Sequence, residues 1–281
     1  MMQMKPRTTA AASPPSAVGA LTAAGVEKRY SSARGAVQAL LETDLTVQPG
    51  RFVTIVGPSG CGKSTLLMIL AGLLSPTSGE VRYNGVPIAG PHEDIGVVFQ
   101  SPALLPWLSV LRNTMLPGRV GRHVSRADRR GHEARARELL SLVGLAGFED
   151  RYPSELSGGM QQRNAIARAL LLDPPVLLMD EPFGALDALT RERMNQWLAD
   201  IWQAQQKAVA LVTHSIDEAV YLADEIVVMS PRPGTVVERV QVDLPRPRKP
   251  DLMKTQEFAQ LSGYIRQLLD SSETDSGGVS A

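Results

Sequence analysis

Short, continuous apolar runs recur along this chain, and polar residues end or closely follow them. Phe52 to Val56, Ile95 to Phe99, Val176 to Met179, Val209 to Val212 and Ile226 to Met229 are such runs. A run that is apolar at every position predicts a parallel strand covered on both faces. Between the runs the spacing becomes helical. Leu66, Leu67, Leu70, Leu73 and Leu74 mark one helix face, and Met194, Trp197, Leu198, Ile201 and Trp202 mark another. This alternation predicts an α/β fold with a mostly parallel core sheet. Lys63, Gln100, Asp180, Glu181 and His214 lie at or just beyond the C-terminal ends of predicted strands. In an open parallel sheet that edge is where ligands bind.

Two stretches break the alternation. Ser101 to Ser154 holds four prolines and an Arg-rich helical run from Ser125 to Val143, which predicts a helical insertion at about 102–165. After Pro231 the chain is punctuated by proline and turns basic, through Pro245-Arg246-Pro247-Arg248-Lys249-Pro250. A helix is expected from about Leu252 to Leu269, so residues 241–281 read as a partly helical extension of a domain spanning 21–240. Residues 1–20 are polar and proline-rich, which predicts disorder and does not suit a signal peptide. No apolar run approaches the roughly eighteen residues of a membrane span, so any membrane part must come from a partner.

Composition narrows the function. Lys+Arg and Asp+Glu both count 29, a balance that argues against a nucleic-acid partner held by backbone charge. Cys61 is the single cysteine, so neither a disulfide framework nor a Cys/His metal cluster is expected.

The sharpest chemistry lies in Gly57-Pro58-Ser59-Gly60-Cys61-Gly62-Lys63-Ser64-Thr65. This phosphate-binding loop sits between a predicted strand and a predicted helix, the context the motif requires. Its glycines let backbone N–H groups, that of Cys61 included, curl around a phosphate, and the helix N-terminus adds partial positive charge. Lys63 is placed for the β- and γ-phosphates, and Ser64 offers a hydroxyl to Mg²⁺. Downstream, Asp180 and Glu181 end a strand as the second acidic motif of such ATPases does: Asp180 as a Mg²⁺ holder, Glu181 as the general base on water. Leu156-Ser157-Gly158-Gly159-Met160 precedes a helix and forms a second anion cradle. Taken alone, the Ser-Gly-Gly run reads rather as an ordinary serine helix cap.

Taken together and in this order, the motifs resemble the ATP-binding cassette (ABC) family over about Leu21 to Arg239. The resemblance implies a P-loop ATPase with an N-terminal antiparallel β subdomain and a helical insertion. It implies that Ser157, Gly158 and Gly159 close over ATP bound to a second, head-to-tail copy. Gln100 resembles the switch glutamine that senses γ-phosphate and Mg²⁺, and His214 the switch histidine. Tyr30 resembles the adenine-stacking aromatic, and Asp187, in Gly184-Ala185-Leu186-Asp187, the loop that crosses between sites. Met160 and Asn164 depart from the commoner pattern without removing a phosphate donor.

Two further phrases, Ser101 to Trp107 and Leu222 to Gly234, resemble the ATPases of nitrate/sulfonate/taurine-type importers. That implies a cytoplasmic subunit, peripheral on the inner face of the cell membrane. It would power uptake of a small anionic solute through a separate permease, fed by an extracytoplasmic solute-binding protein. Leu104, Leu105, Pro106 and Trp107 are the expected permease contact, with core packing the competing reading. A soluble kinase or GTPase has no use for the second cradle. A DNA-repair or translation ATPase, the alternative within the family, would need long arms, a second cassette or a basic face.

Overall fold

The computed structural model of the chain describes residues 19–32, 35–120 and 126–276. The segment 1–18, expected to be disordered, lies outside the described residues.

Among the described residues, ten strands form two sheets. The first is antiparallel: β1 (Leu21–Ser32), β2 (Gly35–Val47), β4 (Ser78–Tyr83) and β5 (Val86–Pro87), in the order β2-β1-β4-β5. Leu21 stands opposite Val47 on one side and Tyr83 on the other. The second contains β3 (Phe52–Val56), β6 (Ile95–Val98), β7 (Val176–Asp180), β8 (Ala208–Val212), β9 (Glu225–Met229) and β10 (Val236–Gln241), in the order β10-β9-β3-β8-β7-β6. All its pairings are parallel except that of β9 with the edge strand β10.

The apolar runs are continuous because the core sheet is covered on both faces. Phe52, Leu177, Met179, Val209, Leu211, Ile226 and Val228 face one core cluster. Val53, Ile55, Val176, Leu178, Ala210, Val212 and Val227 face the other, with α1 (Lys63–Leu70) and the antiparallel sheet. Each fully buried aliphatic side chain contributes about 1.5–3 kcal/mol relative to exposure. The first helix is shorter than its leucine spacing predicts. It ends at Ala71, and Leu73 is left exposed.

Between β6 and β7 the chain forms α2 (Val110–Thr114), α3 (Pro117–Val120), α4 (Arg126–Leu142) and α5 (Gly158–Leu170). Polar joints fix this helical region. Asn164 is fully buried and donates to Thr114 Oγ1 at 2.7 Å and to the Val110 carbonyl. The departure from an apolar residue at this position is therefore a buried tie between α5 and α2. Met160 packs partly buried against the core.

Beyond β7 come α6 (Ala188–Gln205), α7 (Ile216–Leu222) and α8 (Gln256–Ser276). The last helix starts later than its pattern predicts, because Pro250–Lys254 winds as a 3-10 turn and the Thr255 hydroxyl accepts from the Phe258 amide. The preceding basic run is not solvated throughout. Arg248 is 2% exposed and donates to the carbonyls of Val220, Tyr221 and Ala223 at the end of α7, and to that of Val242. Burial lowers its pKa to about 10. Arg246 pairs with Asp224 at 2.8 Å and lies 3.9 Å over the Trp202 ring. With Phe258 and Ile265 of α8 in the core, the tail is packed into the fold.

Candidate functional site

The phosphate loop leaves the wholly buried strand β3 and enters α1. Gly60 (φ +74°) and the helix cap Gly62 (φ +109°) take left-handed conformations that L side chains avoid. A Cβ at Gly62 would stand 2.9 Å from the Ala39 carbonyl and 2.7 Å from Leu40 Cδ2, so β2 also requires glycine there. Lys63 is buried. Its ammonium donates to the carbonyls of Gly57 at 2.7 Å and Pro58 at 2.8 Å, folding back into its own loop. Cys61 is fully buried behind the loop, and burial pushes its thiol up against the opposing pull of Lys63.

A pocket of about 380 Å³ opens on this loop. It is lined by Ser59, Gly60, Gly62, Lys63, Ser64 and Thr65, by Tyr30, Val37 and Ala39 of the antiparallel sheet, and by Gln100, Glu181 and Arg232. Tyr30 is 41% exposed, with its hydroxyl 3.4 Å from Thr65 Oγ1.

At the strand ends three side chains converge. Glu181 Oε2 accepts from Gln100 Nε2 at 3.1 Å and lies 3.3 Å from His214 Nδ1. Glu181 holds φ +44°, a strained conformation for a side-chain-bearing residue. Its amide donates to the Val212 carbonyl, which keeps the residue at the sheet edge. Asp180 is buried, and its Oδ1 has no hydrogen-bond partner. Burial raises its pKa first, and the Ser64 hydroxyl opposes that. A buried carboxylate oxygen without a partner, beside a hydroxyl and a phosphate loop, suits a divalent cation.

The second cradle stands apart. Ser157 is exposed and caps α5, accepting from the Met160 amide at 3.3 Å. A Cβ at Gly159 would meet Leu186 Cδ2 at 2.9 Å, so the crossing loop rests on this glycine. Asp187 caps α6 by accepting from the Thr190 amide at 3.0 Å, and that bond lowers its pKa. Ser157, Gly158, Gly159 and Asp187 do not line the pocket.

A buried side chain joins the two halves. Gln162, in the second turn of α5, donates to the Phe99 carbonyl at 3.0 Å. Arg168 of the same helix holds the carbonyls of Pro102 and Ala103. Beyond them, Asn113 fixes the loop at Leu105 and Leu108 and leaves Trp107 68% exposed. Leu104 and Leu105 are half-buried and Pro106 is exposed, so the expected contact patch narrows to Pro106 and Trp107.

The family model for ABC transporters matches residues 40–184. The chain is 52% identical over 226 residues to the taurine import ATP-binding protein of Burkholderia pseudomallei, covering 80% of this chain and 85% of that one. This chain belongs to the ABC transporter ATP-binding family. It is also 50% identical over 212 residues to an uncharacterized ABC transporter ATP-binding protein of Methanocaldococcus jannaschii, covering 75% and 78% of the two chains. Among solved structures, the dimeric structure of a bacterial ABC transporter cassette superimposes with a TM-score of 0.72 at 35% identity, covering 80% of this chain and all of that one. The same cassette in a post-hydrolysis state with ADP and Pi gives 0.71. The ABC cassette fold, nucleotide binding and ATPase activity follow.

Sequence reasoning missed Val37, Ala39 and Arg232 as pocket residues, and Gln162 as a joint. Arg232 stands in the Leu222 to Gly234 phrase, which served only as a mark of resemblance. His92 and His132, which no motif accompanies in the sequence, are half-buried, and the His92 ring lies tilted against Tyr83 with centroids 4.8 Å apart.

Proposed function

We propose that this ABC ATPase drives an importer for a small anionic solute of the sulfonate type, docking on a separate permease at the inner membrane face. The importer reading rests on similarity to taurine import ATP-binding proteins and on the two phrases of that subfamily. Among the described residues no helix is long and apolar enough to cross a membrane. In this reading the permease is a separate chain, and the exposed Pro106 and Trp107 are its contact. A solute-binding protein delivers the solute on the far side.

One observation carries the mechanism: the pocket that holds the phosphate loop holds none of Ser157, Gly158 or Gly159. ATP bound in one copy stacks on Tyr30 and lies along Gly57 to Thr65. The partner copy supplies the second cradle, from a helix N-terminus suited to anions. Mg²⁺ would be held by Ser64, Asp180 and Gln100, and supplies charge neutralisation at the phosphates. Glu181 takes the proton of the attacking water, and His214 and Gln100, both at its carboxylate, hold it in place. Hydrolysis replaces one bridging anion by two that repel, and the copies part. Asp187, on the loop packed against Gly159, couples the two sites. Gln162 and Arg168 carry the motion to the loop that bears Trp107.

The test is reconstitution with the permease and binding protein in liposomes. Turnover should rise with a sulfonate such as taurine present. Turnover indifferent to every small anion would overturn the importer reading.

A further inference from the structure

We infer that Arg232 binds the nucleotide polyphosphate, as a second cation of the pocket beside Lys63; this rests on the nucleotide-site reading above. Lys63 and Arg232 are the cationic side chains lining that pocket. In the chain without nucleotide, Lys63 donates to the carbonyls of Gly57 and Pro58. Arg232 is exposed, and among the described residues its side chain makes no hydrogen bond or ion pair.

Its place is built rather than incidental. Arg232 sits in the turn between β9 and β10, two residues before Gly234. Gly234 donates to the Ala39 carbonyl at 3.0 Å and accepts from the Leu41 amide at 2.8 Å, which stitches the turn to β2. A Cβ at Gly234 would stand 1.9 Å from the Cys61 carbonyl, so the turn is pressed directly onto the phosphate loop. Within the turn, Ser230 Oγ donates to the Pro231 carbonyl at 3.0 Å and accepts from the Thr235 amide at 3.1 Å. A guanidinium carried into the lining of a phosphate pocket on a fixed turn, with its donors uncommitted, is suited to phosphate oxygens. Its planar donor fork matches them, and their charge strengthens each bond.

Calorimetric titration of the purified chain with MgATP and MgADP tests this. Arg232→Ala should weaken both about tenfold, the low end for a charge-assisted contact at an exposed site. Arg232→Lys should recover part of the loss, and the two variants should melt with the wild type. Wild-type nucleotide affinity in Arg232→Ala would overturn the proposal. So would unchanged affinity with weaker ATP-driven pairing, which makes Arg232 an interface residue. Lys63→Ala separates the two readings. If it loses affinity while Arg232→Ala does not, only the Arg232 proposal falls. If Lys63→Ala binds normally, the phosphate-loop reading falls with it.

Discussion

The two halves of the proposed nucleotide site are built differently. The phosphate-loop half is finished within one chain: its cation is buried and bonded to its own carbonyls, and its Gly62 is pressed against β2. The second-cradle half is surface. Ser157 and Asp187 are exposed and accept from the Met160 and Thr190 amides of the helices they cap. In the proposed scheme one half is preorganised and the other is completed by contact with a second copy. Binding of ATP and completion of the site would then be separable events, and substitutions in each half should fail differently.

The largest effect belongs to the strand ends. Glu181→Gln should lower turnover at least about a hundredfold, the low end for loss of a general base, with ATP affinity kept. Turnover within tenfold of wild type would move the base elsewhere. Ser157→Arg should also abolish hydrolysis while ATP affinity stays within about twofold, because that serine is absent from the pocket. Retained hydrolysis there would mean that each copy works alone, and lost affinity that the halves are not separate. Smaller is the joint between them. Gln162→Ala leaves the Phe99 carbonyl without its partner, at about 1–3 kcal/mol. The melting temperature should fall by roughly 2–4 °C per kcal/mol in a chain of this size. An unchanged melt would show that the joint is dispensable.

The smallest effect is electrostatic. Glu218 is buried and bonds Thr213 Oγ1 at 2.7 Å. Burial raises its pKa, and Thr213 and then Arg191 oppose it. A carboxyl raised in the folded state takes up its proton at higher pH folded than unfolded. It therefore destabilises the fold at neutral pH and ceases to do so as pH falls through the folded value. Glu218→Gln should raise the melting temperature slightly at pH 8, with the gain shrinking toward acid. A lower melting temperature at pH 8 would show that the 3.8 Å pairing with Arg191 outweighs burial.

Much of this was legible in the sequence, and the reason is local. Five strands were readable because burial on both faces makes them almost continuously apolar, and the structure alternates those positions between two cores. The phosphate loop was readable because its conformation demands glycine at fixed spacing. Strand β2 was not readable from its pattern, since its first residues are exposed and the alternation starts late. The buried role of Arg248 was hidden because its partners are backbone carbonyls, which leave no mark on composition. Arg232 was hidden for a related reason: only the fold brings its turn against Cys61. The second cradle showed in sequence only as a serine before two glycines, and in one chain it remains a helix cap.

The claim beneath all of this is that the site is completed by a second copy. Sedimentation of Glu181→Gln at saturating ATP tests it most directly. The mass should double with ATP, return to one chain when ATP is removed, and stay at one chain when Ser157→Arg is added. A Glu181→Gln chain that binds ATP and remains monomeric would contradict the account.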